Sequence, residues 1–374
     1  MNAKKSDPRA KSLLDSAKSK IDDCLEGWLR STQEDFATNN GEQIVAEVGR
    51  SAIGRGGRIR PLLCCCGYAI AGGEGGLTDK RIIRAAASIE LLHTFAILHD
   101  DVMDGSELRR GEPSLFRRIA DEREDLGDEE AVHYGVSVAI LAGDLALVLS
   151  DQLFSRSGFD ADRLLRAYGP LSRMRLDAVA GQYLDLTHSG RPAGAQDPDL
   201  AVRISRLKTG SYSVEGPLLI GATLGGATEA AARALREFAR PLGEAFQLTD
   251  DLMGLFGDPA STGKDAENDI RKGKPTPLIS SSLAMATGGR RSDILAIWGN
   301  PRASAADLAR LRAAVRDSGA LGVMSARIRA LVAASCGALN DPERNDLDEQ
   351  TAALLQHLAQ GILARAGETV EGGI

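Results

Sequence analysis

Three carboxylates stand close together at the end of an apolar stretch, in residues 93–111, HTFAILHDDVMDGSELRRG. If this segment is helical, Asp100 and Asp104 are four residues apart and share one face of the helix. Asp101 adds a third acid within the same turn, and carboxylates that close repel one another. A divalent cation is the natural counter-charge. Since Arg109 and Arg110 follow, the segment predicts a metal-held polyanion beside an apolar pocket.

A second acidic pair, Asp250–Asp251, ends another apolar stretch, so that Phe-x4-Asp-Asp at 95–101 is echoed by Phe-x3-Asp-Asp at 246–251. Two such helices, facing each other, would bring four or five carboxylates to one cavity, which is how helix bundles build multi-metal sites. Acidic helix ends that are merely exposed to water would explain one such cluster. They explain two poorly.

Several kinds of site use paired carboxylates. A glycosidase needs one carboxyl from each side of its substrate and has no use for clustered arginines and lysines. A carboxylate-bridged iron bundle is built on paired Glu-x-x-His motifs. An oxygen-rich site without His or Cys favours Mg²⁺, which binds through a few carboxylates plus substrate phosphates. We therefore expect Mg²⁺, with Mn²⁺ as a possible substitute.

Composition limits the function classes. The 374 residues are 43% hydrophobic, with 52 acidic and 45 basic side chains and a net charge of −7, so there is no basic footprint for nucleic acid or an anionic membrane. Five cysteines, three of them consecutive at 64–66, show neither disulfide nor CxxC spacing and predict core positions in a reducing compartment. We find no signal-peptide h-region and no apolar run of membrane-spanning length, and expect a soluble, cytoplasmic protein.

The elements that must position these residues are helices. Apolar residues recur at helical spacing through most of the chain after a frayed segment at 1–10, and no alternating strand pattern is bounded by turn signals. Aromatic residues make up 4% of the chain, which is low for a sheet. The sequence therefore predicts an all-α protein. A Gly/Arg-rich loop at 49–61 precedes one helix, and its arginines could bind phosphate oxygens.

Motifs between residues 54 and 280 make the chain similar to the polyprenyl synthetase family of trans-isoprenyl diphosphate synthases. Each motif alone is moderate evidence, but their order and spacing are specific. They are Asp100-Asp101-Val102-Met103-Asp104 with Arg109-Arg110-Gly111, Gly143-Asp144, Gly181-Gln182 with Asp185, Lys208-Thr209, Phe246-Gln247-Leu248-Thr249-Asp250-Asp251, Gly257-Asp258 and Thr262-Gly263-Lys264.

The resemblance implies one polyprenyl synthetase domain over 1–374, an isoprenoid-synthase helical bundle with a central apolar cavity, usually a homodimer. It implies condensation of an allylic diphosphate with isopentenyl diphosphate. About three Mg²⁺ ions would be held by Asp100, Asp104 and Asp250, with Asp101 and Asp251 as additional or supporting ligands. The allylic substrate would be bound by Arg109, Lys208, Thr209, Gln247 and Lys264. Isopentenyl diphosphate would be bound by Arg110, His93 and Arg60, and Lys274 is a further candidate for substrate binding.

The chain departs from the family pattern at three places. Gly57 stands where a substrate-binding lysine is usual, and Arg58 or Arg55 could substitute. Gly254 stands in the second acidic motif where Asp is common, and SLF at 114–116 replaces a common Thr-x-His. Phe95 and Ala96, five and four residues before Asp100, resemble the pattern of geranylgeranyl-forming enzymes, which predicts a C20 product.

Two rivals share the fold. A class I terpene cyclase has the first acidic motif but a different second metal motif, and this chain has Asp250–Asp251 there. A non-catalytic regulatory subunit would keep the fold and lose the chemistry, whereas both acidic pairs, Arg109–Arg110 and Lys264 are intact. Farnesyl-forming and longer-chain synthases stay open as alternatives for the product.

Overall fold

The computed structural model describes residues 8–38, 41–53, 56–109, 111–190, 198–257, 270–340 and 347–372. Helices make up nearly all of its regular structure, so the all-α prediction is confirmed. In chain order the α-helices are α1 (Pro8–Ala37), α2 (Glu42–Ala52), α3 (Ile59–Ile70), α4 (Lys80–Asp104), α5 (Leu115–Asp121), α6 (Asp128–Ser155), α7 (Ala161–His188), α8 (Pro198–Ser205), α9 (Gly216–Gly225), α10 (Glu229–Phe256), α11 (Pro277–Met285), α12 (Gly288–Ile297), α13 (Ala305–Asp317), α14 (Ala320–Ala338) and α15 (Glu349–Gly372).

Three short elements were not anticipated. A 3₁₀-helix spans Gly76–Thr78, and a π-helix spans Arg206–Glu215. Strands β1 (Leu108–Arg109) and β2 (Glu112–Pro113) form an antiparallel hairpin in which Leu108 pairs with Pro113. The sequence shows no alternating pattern at this hairpin, because two residues a strand are too few to form one.

Two compact units divide the chain. Unit 1 comprises Met1–Gly169, Pro217–Ala232 and Leu347–Leu354, and unit 2 comprises Pro170–Gly216, Arg233–Asp346 and Leu355–Ile374. Each unit is discontinuous in sequence, and the motifs are shared between them: Asp100 belongs to unit 1 and Asp250 to unit 2. That the whole chain acts as a single domain stays a prediction.

In unit 1, α3 and α9 pack with their backbones almost in contact. A Cβ added at Gly67 would lie 2.1 Å from the carbonyl oxygen of Leu218, and one added at Gly221 would lie 1.8 Å from that of Cys64. Only glycine fits at either position. Cys64, Cys65 and Cys66 are free thiols in this core, as the sequence predicted. Burial raises the pKa of Cys66 to about 12, so this thiol is protonated at neutral pH.

Helix α4 supplies the centre of unit 1. It begins where the Asp79 carboxylate accepts a hydrogen bond of 2.9 Å from the backbone N–H of Arg81. Its first three turns are almost entirely buried, and Ser150 of α6 donates a hydrogen bond of 2.7 Å to the carbonyl of Ser88. The buried half is fixed by packing, which leaves the far end of α4 to carry chemistry.

The prediction that no apolar run is long enough to span a membrane is wrong by length and composition. Three helices meet that measure: α4, α6 and α14. In α4, 67% of the apolar window is buried, whereas in α6 and α14 the buried share is 33%. Charged residues interrupt these runs in the sequence, so no long uninterrupted apolar run is visible although the average hydropathy of each helix is high.

In unit 2, α10 is held along its length. Phe238 is fully buried, and its carbonyl accepts a hydrogen bond from the hydroxyl of Ser335 on α14. Near the C-terminal end of α10, Arg312 of α13 donates a hydrogen bond of 2.8 Å to the carbonyl of Leu255. A cation at the last carbonyls of a helix also complements the negative end of the helix dipole. The end of α10 that carries Asp250 is therefore anchored by α13.

Candidate active site

The first acidic cluster lies at the C-terminal end of α4, as predicted. Gly105 takes a left-handed conformation, with φ 53°, and its N–H bonds the carbonyl of Val102, while the Ser106 N–H bonds that of Asp101 at 2.8 Å. This pair of bonds is a common helix terminator. Asp100 and Asp104 are both within the helix and half-buried, so their carboxylates share one face.

Asp101 faces the protein rather than solvent. The hairpin β1–β2 returns Arg109 to α4, where its Nε donates a hydrogen bond of 2.8 Å to Oδ1 of Asp101 and its Nη2 also contacts that oxygen. The same Nη2 lies 3.6 Å from Oδ2 of Asp100. Burial raises the pKa of Asp101 above its ordinary value, and Arg109 opposes that rise. Arg109 thus offsets part of the negative charge of the cluster, at Asp101 and Asp100.

The arginines of the Gly/Arg-rich loop have different surroundings. Nη1 of Arg60, in the first turn of α3, lies 3.0 Å from Nε2 of His93 on α4, so the two residues assigned to one substrate are in contact. Arg58, by contrast, is buried. Its guanidinium binds Asp22 at 2.7 Å and Glu90 at 2.6 Å. The assignment of Arg58 to substrate binding is contradicted by this geometry, because two protein carboxylates already occupy the guanidinium. Arg55 lies outside the described residues.

Two Glu-x-x-His spacings occur in the chain, at Glu90–His93 and at Glu130–His133. Glu90 binds Arg58 and His93 contacts Arg60, while Glu130 and His133 are exposed at the start of α6. Neither spacing therefore forms the inward-facing pair that a carboxylate-bridged iron site requires.

The second acidic cluster is near the C-terminal end of α10, in unit 2. Asp250 and Asp251 are half-buried, and Gln247, one turn before, donates a hydrogen bond of 2.6 Å from Nε2 to Oδ1 of Asp251. Thr249 donates back to the carbonyl of Ala245 at 2.8 Å. Gln247 thus orients the Asp251 carboxylate in this structure, and the direct substrate contact that the resemblance implied stays a prediction.

Lys208 and Thr209 lie on the π-helix, a form that is rare and frequent at functional sites. Nζ of Lys208 binds the buried carboxylate of Asp185, on α7, at 2.7 Å. Helix α7 approaches the π-helix at Gly181, where an added Cβ would lie 2.4 Å from the backbone nitrogen of Lys208. The sequence placed Gly181 and Asp185 in one motif and Lys208 in another, and the structure brings the two motifs together.

We expect Gly181→Ala to displace the π-helix. The added methyl would overlap backbone atoms, which cannot rotate away as a side chain can, so the substitution will destabilise unit 2 by about 1–3 kcal/mol and reduce turnover by moving Lys208. Denaturant unfolding and steady-state kinetics measure the two effects. Gly169→Ala is the control, since no atom lies within 4 Å of a Cβ built on this other α7 glycine. Equal free energies of unfolding and equal turnover in the two variants would show that close packing at Gly181 does not position the π-helix.

Phe95 and Ala96 are half-buried on α4, one turn or more before Asp100. The ring of Phe95 packs edge-on against His99, with centroids 4.7 Å apart. His99 in turn lies 3.1 Å from the carbonyl of Ile140 and 3.6 Å from Oδ1 of Asp144, both on α6. Asp144 therefore lies on the side of α6 that meets His99 of α4, and its side chain is 59% exposed.

The remaining predicted residues divide into two groups. Lys274 is half-buried and follows Gly273, whose φ of 62° and close approach to Gly299 admit no side chain. Arg110, Asp258, Thr262, Gly263 and Lys264 lie outside the described residues.

The side chains of each acidic cluster suit a hard divalent cation. Asp100 and Asp104 in unit 1, and Asp250 in unit 2, offer only carboxylate oxygens, the ligands that Mg²⁺ prefers. Among the residues that the structure describes, no three His, Cys, Asp or Glu side chains form a preassembled cluster.

Sequence reasoning missed Asp22 and Glu90. Glu90 interrupts a run of buried apolar residues on α4, and a carboxylate in such a run is rarely buried without a partner. That signal could have pointed to a buried cation. Asp22, on α1, gives no comparable local signal.

The comparisons with known proteins all point to one family. Residues 42–315 match the family model described as polyprenyl synthetase. The geranylfarnesyl diphosphate synthase of Aeropyrum pernix is 36% identical over 279 residues, which cover 73% of this chain and 80% of that protein. The geranylgeranyl diphosphate synthase of Mycobacterium tuberculosis is 31% identical over 341 residues, 89% of this chain and 91% of that protein.

A solved structure has the same fold. The crystal structure of geranylgeranyl pyrophosphate synthase from Corynebacterium glutamicum, complexed with isoprenyl diphosphate and magnesium, superposes with a TM-score of 0.86 at 33% identity. The match covers 94% of this chain and 99% of that one. The helical-bundle prediction therefore holds for the fold as a whole.

Proposed function

We propose a specific reaction for this chain, which belongs to the polyprenyl synthetase family and is a prenyltransferase. It joins an allylic diphosphate head to tail with isopentenyl diphosphate and releases inorganic diphosphate. The observation that carries the proposal is the end of α4, where Asp100 and Asp104 share one helix face and Arg109 is folded back beside them. Two carboxylates beside an arginine can bind a diphosphate through divalent cations.

The proposed metal ligands are Asp100, Asp104 and Asp250, with about three Mg²⁺ ions in all, and Mn²⁺ as a substitute. When bound, these ions would neutralise the diphosphate leaving group of the allylic substrate. Asp101 and Asp251 support these ligands, since Arg109 and Gln247 respectively fix their carboxylates.

The proposed anion-binding residues fall into two sets. Arg109, Lys208, Thr209, Gln247 and Lys264 bind the allylic diphosphate. Arg60, His93 and Arg110 bind isopentenyl diphosphate, with Lys274 as a further contact. The pairing of Arg60 with His93, in which Nη1 of Arg60 donates to Nε2 of His93 at 3.0 Å, supports the second set, because it holds the two side chains next to each other.

These residues supply electrostatics and position rather than a nucleophile. As the allylic C–O bond breaks, negative charge develops on the departing diphosphate, and preorganised cationic side chains stabilise that state more than the ground state. The allylic cation is then attacked by the double bond of isopentenyl diphosphate, and a proton is lost from the adduct to the released diphosphate. Water must be excluded, because it would capture the cation.

We propose geranylgeranyl diphosphate, a C20 compound, as the main product, with Phe95 closing the end of the growing chain's pocket. The edge-on contact between Phe95 and His99 supports this, because it restrains the Phe95 ring at the proposed end of the pocket. Chromatography of dephosphorylated products, made from isopentenyl and dimethylallyl diphosphates, tests the length. A dominant C15, C25 or C30 alcohol would contradict it.

Phe95→Ala is expected to lengthen the product. Removing the ring opens space at the proposed floor, so the share of products longer than C20 should rise severalfold, while the first condensation continues. Phe36→Ala on α1, another half-buried phenylalanine, is the matched control and should leave the product pattern unchanged. An unaltered product distribution in Phe95→Ala would show that Phe95 does not determine product chain length.

We further propose a homodimer in the cytoplasm that is not embedded in a membrane. In unit 1, α6 exposes Tyr134, Leu141 and Val148 at seven-residue intervals, with 58% of Leu141 accessible. In unit 2, α7 exposes Leu176, Val179 and Tyr183, which are three and four residues apart and together span one seven-residue interval. Apolar stripes with this period are typical of helix–helix interfaces, and a second copy would cover the apolar face that gives α6 its membrane-like hydropathy.

A further inference from the structure

Arg58 has an unusual backbone and an unusual environment. Its φ of 50° places it in the left-handed region, and it stands at the N-terminal cap of α3. No other non-glycine residue in the described part of the chain has a positive φ. A non-glycine residue keeps this conformation only where its surroundings impose it.

Two carboxylates from separate helices supply that constraint. Nε of Arg58 donates to Oδ1 of Asp22 on α1 at 2.7 Å, and Nη1 donates to Oε1 of Glu90 on α4 at 2.6 Å. The Arg58 side chain is 2% exposed and that of Glu90 is 8% exposed. The guanidinium therefore ties the start of α3 to two other helices, with both of its hydrogen-bonding edges occupied by protein groups.

The same segments carry the Arg60–His93 contact. Arg60 is two residues after Arg58, and His93 is three residues after Glu90 on the same side of α4. Two arginines of one short segment are thus each held by a residue of α4, one by a buried carboxylate and the other by an imidazole. Arg58 also accepts the first helical hydrogen bond of α3, from Leu62 at 2.9 Å, so its placement sets the direction in which the helix starts.

We propose that Arg58 is a positioning residue, whose ion pairs with Asp22 and Glu90 fix the start of α3 so that Arg60 meets His93 at the isopentenyl diphosphate subsite. This rests on the proposed function, which assigns Arg60 and His93 to that substrate. Lysine cannot replace Arg58, because a single ammonium lacks the planar fork that reaches two carboxylates in fixed directions.

Steady-state KM values for each substrate test the proposal. Arg58→Lys and Glu90→Gln should each raise the KM for isopentenyl diphosphate roughly ten-fold, since a small displacement of a binding group is costly. The KM for the allylic diphosphate should stay the same. Added to Arg60→Gln, either change should have no further effect on the KM for isopentenyl diphosphate, because Arg58 acts through Arg60.

Arg118→Gln is the matched control. Arg118 on α5 pairs with Glu47 on α2 and is also largely buried, yet it lies outside the proposed subsite. This variant should lower Tm without changing either KM. If Arg58→Lys fails to fold, Asp22→Asn removes only the more exposed partner and should still raise the KM for isopentenyl diphosphate selectively.

The outcomes are distinguishable. Equal rises in both KM values for the Arg58, Glu90 and Asp22 variants, or a loss of Tm alone, would overturn the positioning role and leave the proposed reaction intact. If Arg60→Gln itself leaves the KM for isopentenyl diphosphate unchanged, the subsite assignment is wrong and the positioning role falls with it. A selective rise that vanishes in the Arg60→Gln background supports both.

Discussion

Asp100→Ala is expected to lower kcat by roughly three orders of magnitude, because it removes a proposed ligand of the cations that would stabilise the departing diphosphate. The loss should appear in kcat rather than in KM alone, since the charge develops only as the C–O bond breaks. Asp100 is half-buried at the end of α4, so its removal should leave the helical fold intact. Turnover at saturating Mg²⁺ and far-UV circular dichroism measure the two effects.

Asp125→Ala is the control for that experiment. Asp125 is 65% exposed, pairs with the neighbouring Arg123 and lies outside both acidic clusters. It should retain the activity of the unaltered protein. Turnover of Asp100→Ala within a few-fold of that control would show that the end of α4 does not hold the metal.

Lys208→Met is expected to lower kcat/KM for the allylic diphosphate by roughly a hundred-fold, because a charge-assisted contact to a phosphate is lost at the reacting centre. The effect has a second physical source. Asp185 is buried and bound to Lys208 at 2.7 Å, so methionine leaves that carboxylate without its cation. Asp185→Asn separates the two sources: it should destabilise the fold while lowering kcat/KM much less.

Lys80→Met supplies the matched control, since Lys80 is an exposed lysine at the start of α4. It should behave as the unaltered protein does. A Lys208→Met variant with normal kcat/KM but reduced stability would restrict Lys208 to a structural partner of Asp185.

The sequence predicted the local parts of the site well. The cluster at Asp100 and Asp104 depends on helical spacing alone, and a helix with a glycine after its last acid could be recognised without knowledge of the fold. Contacts between distant segments were beyond such reasoning. Lys208 meets Asp185 because the π-helix that follows α8 packs against Gly181 of α7, and nothing in the residue types predicts a π-helix.

Arg58 shows why a motif can mislead. Its neighbours in the sequence are glycines and arginines, which is typical of a phosphate-binding loop. Its neighbours in space are Asp22 and Glu90, which are 36 and 32 residues away in the chain. The local composition indicates a Gly/Arg-rich loop, but it does not predict that helix packing places Asp22 and Glu90 against the Arg58 guanidinium.

Incorporation of radiolabelled isopentenyl diphosphate by the purified protein tests the proposed condensation. We predict that label enters an acid-labile allylic prenyl diphosphate only when dimethylallyl diphosphate and Mg²⁺ are both present, and that EDTA abolishes incorporation. Release of a hydrocarbon from a preformed prenyl diphosphate without incorporation would instead indicate a cyclase. If no label is incorporated with Mg²⁺ or with Mn²⁺, whichever substrate is added first, the proposed condensation is contradicted.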